Sequence, residues 1–124
     1  MSTRVFVYGT LKPGQHRWPA LARFADGERS EAQAAGRLFD PGWGWPAAVF
    51  DAEHTGRIPG VVVAIAPESI REALAALDDI EGVAGGLFQR VLIDAGGQPC
   101  WAYHWPGPTA GFRRIGAWPP TGTA

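Results

Sequence analysis

Arg4-Val5-Phe6-Val7-Tyr8-Gly9-Thr10-Leu11-Lys12-Pro13-Gly14 is the stretch on which the fold turns. Val5, Phe6 and Val7 form an unbroken apolar run of β-branched and aromatic residues. That pattern predicts a strand from Arg4 to Tyr8 covered on both faces, and therefore central in its sheet. The run stops at Gly9. From Gly9 to Leu11 the backbone can turn and present amide N–H groups with little side-chain bulk in the way, a geometry suited to a carboxylate or carbonyl oxygen. Two phosphate-binding loops are excluded. A Walker loop needs Gly-Lys-Ser/Thr running into a helix, and a dinucleotide loop needs three spaced glycines, whereas here Gly14 is followed by Gln15-His16-Arg17 and then Pro19. On spacing alone, a plain hairpin or strand-to-loop connection accounts for the segment better than a binding loop does.

At 124 residues the chain has the size of one domain. Eleven Lys and Arg stand against twelve Asp and Glu, a net charge of −1 with no basic stripe, which argues against a nucleic-acid partner. The single cysteine, Cys100, has no partner for an internal disulfide. No apolar run long enough for a signal or membrane segment follows Met1-Ser2-Thr3-Arg4, so the expected setting is the cytoplasm, with no membrane partner. His16, His54 and His104 lack ligand spacing, and no metal site is expected. Cys100 and His104 are four residues apart on one predicted strand, about 13 Å, too far for a nucleophile and its base. Cys100 reads as a small buried residue. Six Trp and eleven Pro gather at Trp43-Gly44-Trp45-Pro46, Trp101 to Pro106 and Trp118-Pro119-Pro120, which predicts rigid, aromatic-lined loops. The expected organisation is one domain over residues 1–115 and a Pro/Gly-rich tail over 116–124, disordered or wrapped on the surface.

Further strands are expected over Gly36 to Asp40, Gly60 to Ile65, Leu87 to Asp94 and Cys100 to Trp105, the last two joined by a hairpin at Gly96-Gly97. Between them lies one helix, from about Pro67 to Ile80. It opens with a proline and an acid, continues through strong helix formers, and ends at Gly82. At about 100° per residue from Ile70, Leu74 falls near 40°, Leu77 near 340° and Glu81 near 20°, while Asp79 falls near 180° and Asp78 near 80°. Among the three acids of Leu77-Asp78-Asp79-Ile80-Glu81-Gly82, Glu81 is therefore the one aimed with the leucines toward the core. A carboxyl placed there must be paired, hydrogen-bonded or neutral, and loss of water raises its pKa toward the range useful for proton transfer. The structural alternative is a hydrogen bond to local backbone at the helix end or an ion pair with Arg90.

The opening motif, the Gly36-Arg37-Leu38 segment with Pro46-Ala47-Ala48-Val49 downstream, and Leu77-Asp78-Asp79-Ile80-Glu81-Gly82 followed by Leu87-Phe88-Gln89-Arg90 together resemble the γ-glutamylcyclotransferase-like family. That family includes the AIG2-like proteins and the γ-glutamylamine cyclotransferases. The resemblance runs from about residue 4 to 105. It implies an α+β fold, a compact mixed β-barrel or sheet with one main helix, in which the loop and the Glu share a cavity. By position, Tyr8, Gly9, Thr10 and Leu11 would bind a glutamyl group through backbone atoms and Glu81 would be the general acid/base. Tyr103 matches a common family tyrosine and would add a hydroxyl. Phe88 departs from the pattern, since the family places a tyrosine there. The implied reaction is attack of a γ-glutamyl amide's own α-amine on its γ-carbonyl, closing 5-oxoproline and releasing an amine, with no cofactor and a small-molecule substrate as partner. Trp43 and Trp45 would pack their loop or wall the cavity, and Arg113-Arg114 would be a solvated pair. The alternative function is a non-catalytic binding protein for a small carboxylate metabolite or a protein partner.

Overall fold

The computed structural model describes residues 2–120. Seven strands and two α-helices follow in the order β1 (Arg4–Val7), α1 (Trp18–Ala22), β2 (Ala25–Asp40), β3 (Ala47–Phe50), β4 (Arg57–Ile65), α2 (Ile70–Ile80), β5 (Gln89–Ala95), β6 (Gln98–His104) and β7 (Arg113–Ile115). A 3₁₀ turn over Pro67–Ser69 leads into α2. The strands run β3-β2-β4-β1-β6-β5 across the sheet, with β7 added to β2. All pairings are antiparallel except β1 with β6, where Val5 faces Trp101.

The sheet curls until its ends nearly meet. Trp105 N–H donates to the Ala48 carbonyl at 2.8 Å, tying the end of β6 to β3, and Gly96 N–H reaches the Gln33 carbonyl at 3.3 Å, tying the β5–β6 turn to β2. The result is a near-closed mixed barrel with one main helix. β1 lies between β4 and β6, and its two faces serve different layers. Val5 and Val7 join the layer that also holds Leu21, Phe24, Val63, Ile65 and the apolar face of α2, while Phe6 and Tyr8 join an inner cluster with Leu38, Ile58, Val62, Cys100 and Ala102. Apolar cover on both sides explains why this strand shows no polar alternation. On α2, Ile70, Leu74 and Leu77 are buried, as their phase requires.

Several elements differ from the sequence reading. β2 is sixteen residues long and begins at Ala25 rather than Gly36, because Arg29 to Ala35 pair with β4 from Val63 back to Arg57. Helix α1 and strands β3 and β7 were not foreseen. Leu87 and Phe88 precede β5 instead of opening it, and Tyr8 lies one residue past β1. Arg113 and Arg114 are engaged: Arg113 pairs with Asp40 at 3.6 Å and Arg114 sits over the Phe39 ring at 5.9 Å. Within the expected tail, Trp118 packs on the inner cluster and its carbonyl accepts a hydrogen bond from Lys12 Nζ. Residues 121–124 of that tail lie outside the described residues.

Candidate active site

The loop after β1 is pinned by its own carbonyls. Gly9 O accepts from Lys12 N–H at 3.1 Å and Thr10 O from Arg17 N–H at 3.0 Å. The N–H groups of Gly9, Thr10 and Leu11 make no hydrogen bond to any described residue, and these three residues are buried along a cavity wall. Three consecutive N–H groups at a cavity wall without a partner among the described residues are available as hydrogen-bond donors. Gly9 has no room for a side chain, since a Cβ there would stand 2.7 Å from Pro46 Cγ. Pro46 is therefore packed on the bare backbone of the loop.

The cavity behind this wall has a volume of about 90 Å³. A single water needs roughly 10–15 Å³, so the space has room for several water molecules or a small ligand group. Tyr8, Gly9, Thr10, Leu11, Glu81 and Tyr103 all line it, together with Arg17, Trp45, Pro46, Ile80, Leu87 and Phe88. All six residues singled out from the sequence thus meet in one place.

Glu81 is the residue at which α2 ends. Its N–H still bonds back to Leu77 O at 2.9 Å, so the helical phase is kept far enough to turn its side chain to the cavity. Burial among Ile80, Leu87, Phe88 and Trp45 raises its pKa to about 7, and the positive charge of Arg17 opposes that rise. The alternative partner, Arg90, is used elsewhere. It pairs with Asp78 at 3.3 Å and lies over the Trp101 ring.

Two tyrosines frame the floor. Tyr8 donates its buried hydroxyl to the Tyr103 carbonyl at 2.6 Å, and burial with the nearby Glu81 charge raises its pKa. Tyr103 donates to Asp78 Oδ1 at 2.8 Å, and burial with that bond raises its pKa. Both protons are committed, so neither phenol is a free donor. The Tyr103 oxygen keeps acceptor capacity. Phe88, where the family pattern has a phenol, is buried with its ring 5.5 Å from Trp45 and 5.7 Å from Trp105.

Arg17 is the functional candidate that sequence reasoning missed. Its only local signal is Pro13-Gly14, which folds the chain back so that Arg17 N–H meets Thr10 O. In sequence, Gln15-His16-Arg17 reads as featureless loop. Among the described residues no group of three His, Cys, Asp or Glu is placed to hold a metal ion.

The family model for "Gamma-glutamyl cyclotransferase, AIG2-like" matches residues 5–119, and the chain belongs to that family. Membership points to γ-glutamyl cyclotransferase activity in general, on small γ-glutamyl substrates. No curated protein matches the chain. Among solved structures, a protein from Pyrococcus horikoshii superposes with a TM-score of 0.70 at 22% identity, over 94% of this chain and 89% of its own. An AIG2-like protein from Mus musculus gives 0.70 at 18% identity, over 94% and 87%. A structure described as a gamma-glutamyl cyclotransferase gives 0.58 at 14% identity, over 92% and 70%. These likenesses concern the fold. Among the described residues no helix is long and apolar enough to cross a membrane.

Proposed function

We propose that this chain is a cyclotransferase that releases 5-oxoproline and a free amine from a γ-glutamyl amide. The observation that carries this reading is Glu81, a carboxyl with a pKa of about 7, in the same small cavity as three unpaired backbone amides. The amides of Gly9, Thr10 and Leu11, reinforced by Arg17, take the negative oxygens of the substrate, which are its α-carboxylate and the oxyanion that develops on the γ-carbonyl. Ionised Glu81 removes a proton from the α-ammonium. The freed amine attacks the γ-carbonyl carbon, forming the five-membered ring's C–N bond. The ring nitrogen sheds its second proton to solvent as it becomes the lactam N–H, and as the original amide C–N bond breaks, Glu81 returns its proton to the departing nitrogen, which leaves as a neutral amine. A pKa near neutrality suits a group that must act as base and then as acid. Tyr8, with its hydroxyl tied to Tyr103, contributes backbone and shape, and the Tyr103 oxygen can accept a hydrogen bond from the substrate ammonium. No metal, cofactor or covalent intermediate enters the scheme. The setting is the cytoplasm, without nucleic acid or membrane, and the working unit extends past residue 115 to include Trp118, which packs on the inner cluster.

The test is 5-oxoproline release from a panel of γ-glutamyl amides. Glu81→Gln keeps the shape but cannot carry the proton, and it is expected to lower the rate roughly a hundredfold or more while a glutamate-like ligand still binds. Full activity in that variant refutes the role of Glu81. A second reading, a non-catalytic binding protein, draws on Phe88, which brings no hydroxyl to the cavity. Binding without turnover across the panel would establish it.

A further inference from the structure

The open side of the cavity bears on what leaves. Tyr8 to Leu11, Pro46, Phe88 and Tyr103 are buried, whereas Arg17, Trp45, Ile80 and Glu81 are partly open and Leu87 is 41% exposed. The mouth therefore carries the apolar side chains of Leu87, Ile80 and Trp45 beside Arg17 and Glu81. The only charged residues lining the cavity, among those described, are Arg17 and Glu81. Trp45 does not stand alone. Trp43, 53% exposed, packs on it with ring centroids 5.0 Å apart, and Trp105 stands 5.9 Å from Trp43 and 6.1 Å from Trp45. A run of aromatic rings thus leads from the cavity wall out to solvent. Leu87, Ile80 and Trp45 at a cavity mouth leave apolar surface in water, which a ligand's apolar group would cover.

We propose that the amine released by this chain carries an aromatic or large apolar substituent, seated on Leu87, Ile80 and Trp45, rather than a cationic chain. The inference rests on the cyclotransferase reading. The loop amides take the glutamyl end at the buried wall, with the partly open Arg17 beside it, and the γ-carbonyl lies within reach of Glu81. The amide nitrogen and its substituent then point to the mouth. A second ammonium placed there, as in a lysine or diamine, would find no acid to pair with besides Glu81, whose charge is needed for the reaction. An aryl or branched alkyl group would exchange water for ring faces and a Leu side chain. The bonds made and broken are those of the general reaction.

The experiment compares kcat/KM for γ-glutamyl phenethylamide and for the γ-glutamyl amide of the lysine side chain, by 5-oxoproline release, in the wild type and in Leu87→Glu. Leu87 is exposed in a turn, so the substitution leaves the core intact, and a thermal melt checks this. The wild type is expected to favour the phenethylamide by about tenfold or more, the usual scale for a well-placed apolar group. Leu87→Glu, with an acid at the mouth, is expected to reduce or reverse that ratio. Turnover of both amides without preference, or a preference for the lysine amide, overturns the proposal and leaves the cyclotransferase reading standing. No turnover of any γ-glutamyl amide overturns both. A wild-type preference that Leu87→Glu leaves unchanged also overturns it, since the substituent would then be seated elsewhere.

Discussion

Glu81 costs the fold stability for the sake of its position. An ordinary glutamate ionises near 4.5, and this one near 7, because burial disfavours the charge more than Arg17 restores it. Below about pH 4.5 it is protonated folded or unfolded and the shift has no effect. Between about 4.5 and 7 the unfolded chain ionises while the folded one does not, so stability falls as pH rises, and above 7 the loss is constant. Glu81→Gln is therefore expected to stabilise the protein by about 1–3 kcal/mol at pH 8 and by almost nothing at pH 4, measured by urea denaturation at the two pH values. An equal effect at both would mean that the carboxyl is not desolvated in solution. Arg17 gives the complementary prediction. Its charge holds the Glu81 pKa down, so Arg17→Gln should move the acid limb of the kcat/KM profile to higher pH as well as weaken substrate binding. An unmoved limb would sever Arg17 from Glu81. The phase of α2 made Glu81 legible in the sequence. Arg17 was not legible, because its place depends on a turn that brings it back on Thr10, and nothing in the local residue pattern encodes that return.

Elements whose residues announce their own environment were readable, and those defined by a partner were not. Val5-Phe6-Val7 and the face of α2 carry their burial in their composition. β2 does not: Asp26 to Glu31 is mostly charged and exposed, and it is a strand because β4 lies beside it and supplies its ladder. Short β3 and β7 likewise exist by pairing with β2. At Gly36 the strand passes from β4 toward β3. Its φ is +150°, and a Cβ there would lie 2.3 Å from the Val49 carbonyl oxygen and 3.0 Å from Phe50 Cα. Backbone atoms cannot yield as a side-chain tip can. Gly36→Ala should therefore separate β2 from β3 and destabilise the protein by several kcal/mol, in the range of the more severe core substitutions. Because β3 follows directly on Pro46, which packs against Gly9, the same change should weaken glutamate binding in whatever fraction stays folded. A melting temperature within a degree or two of wild type would show that the β2–β3 crossing is looser than described.

For the molecule as a whole, the binding loop is held between two layers, and the last described residues complete one of them. Trp118 packs on the inner cluster, and its carbonyl receives Lys12 Nζ, which adjoins Gly9 to Leu11. The segment at Trp118 thus reaches back to the opening motif, 106 residues earlier, by a contact that no local pattern could have foretold. Composition alone made Gly116 onward read as a tail, since Pro, Gly and Thr dominate it. Trp118→Ala removes a large ring from this packing and is expected to cost about 1–3 kcal/mol, lowering the thermal midpoint by roughly 5–10 °C. No residue from 116 to 120 lines the cavity with Glu81. Below its new midpoint the variant should therefore keep its kcat, while any rise in KM would report loosening of the Lys12 end of the loop. An unchanged midpoint would show that Trp118 does not brace the barrel. A fall in kcat at full foldedness would mean that the loop amides depend on this strap for their alignment.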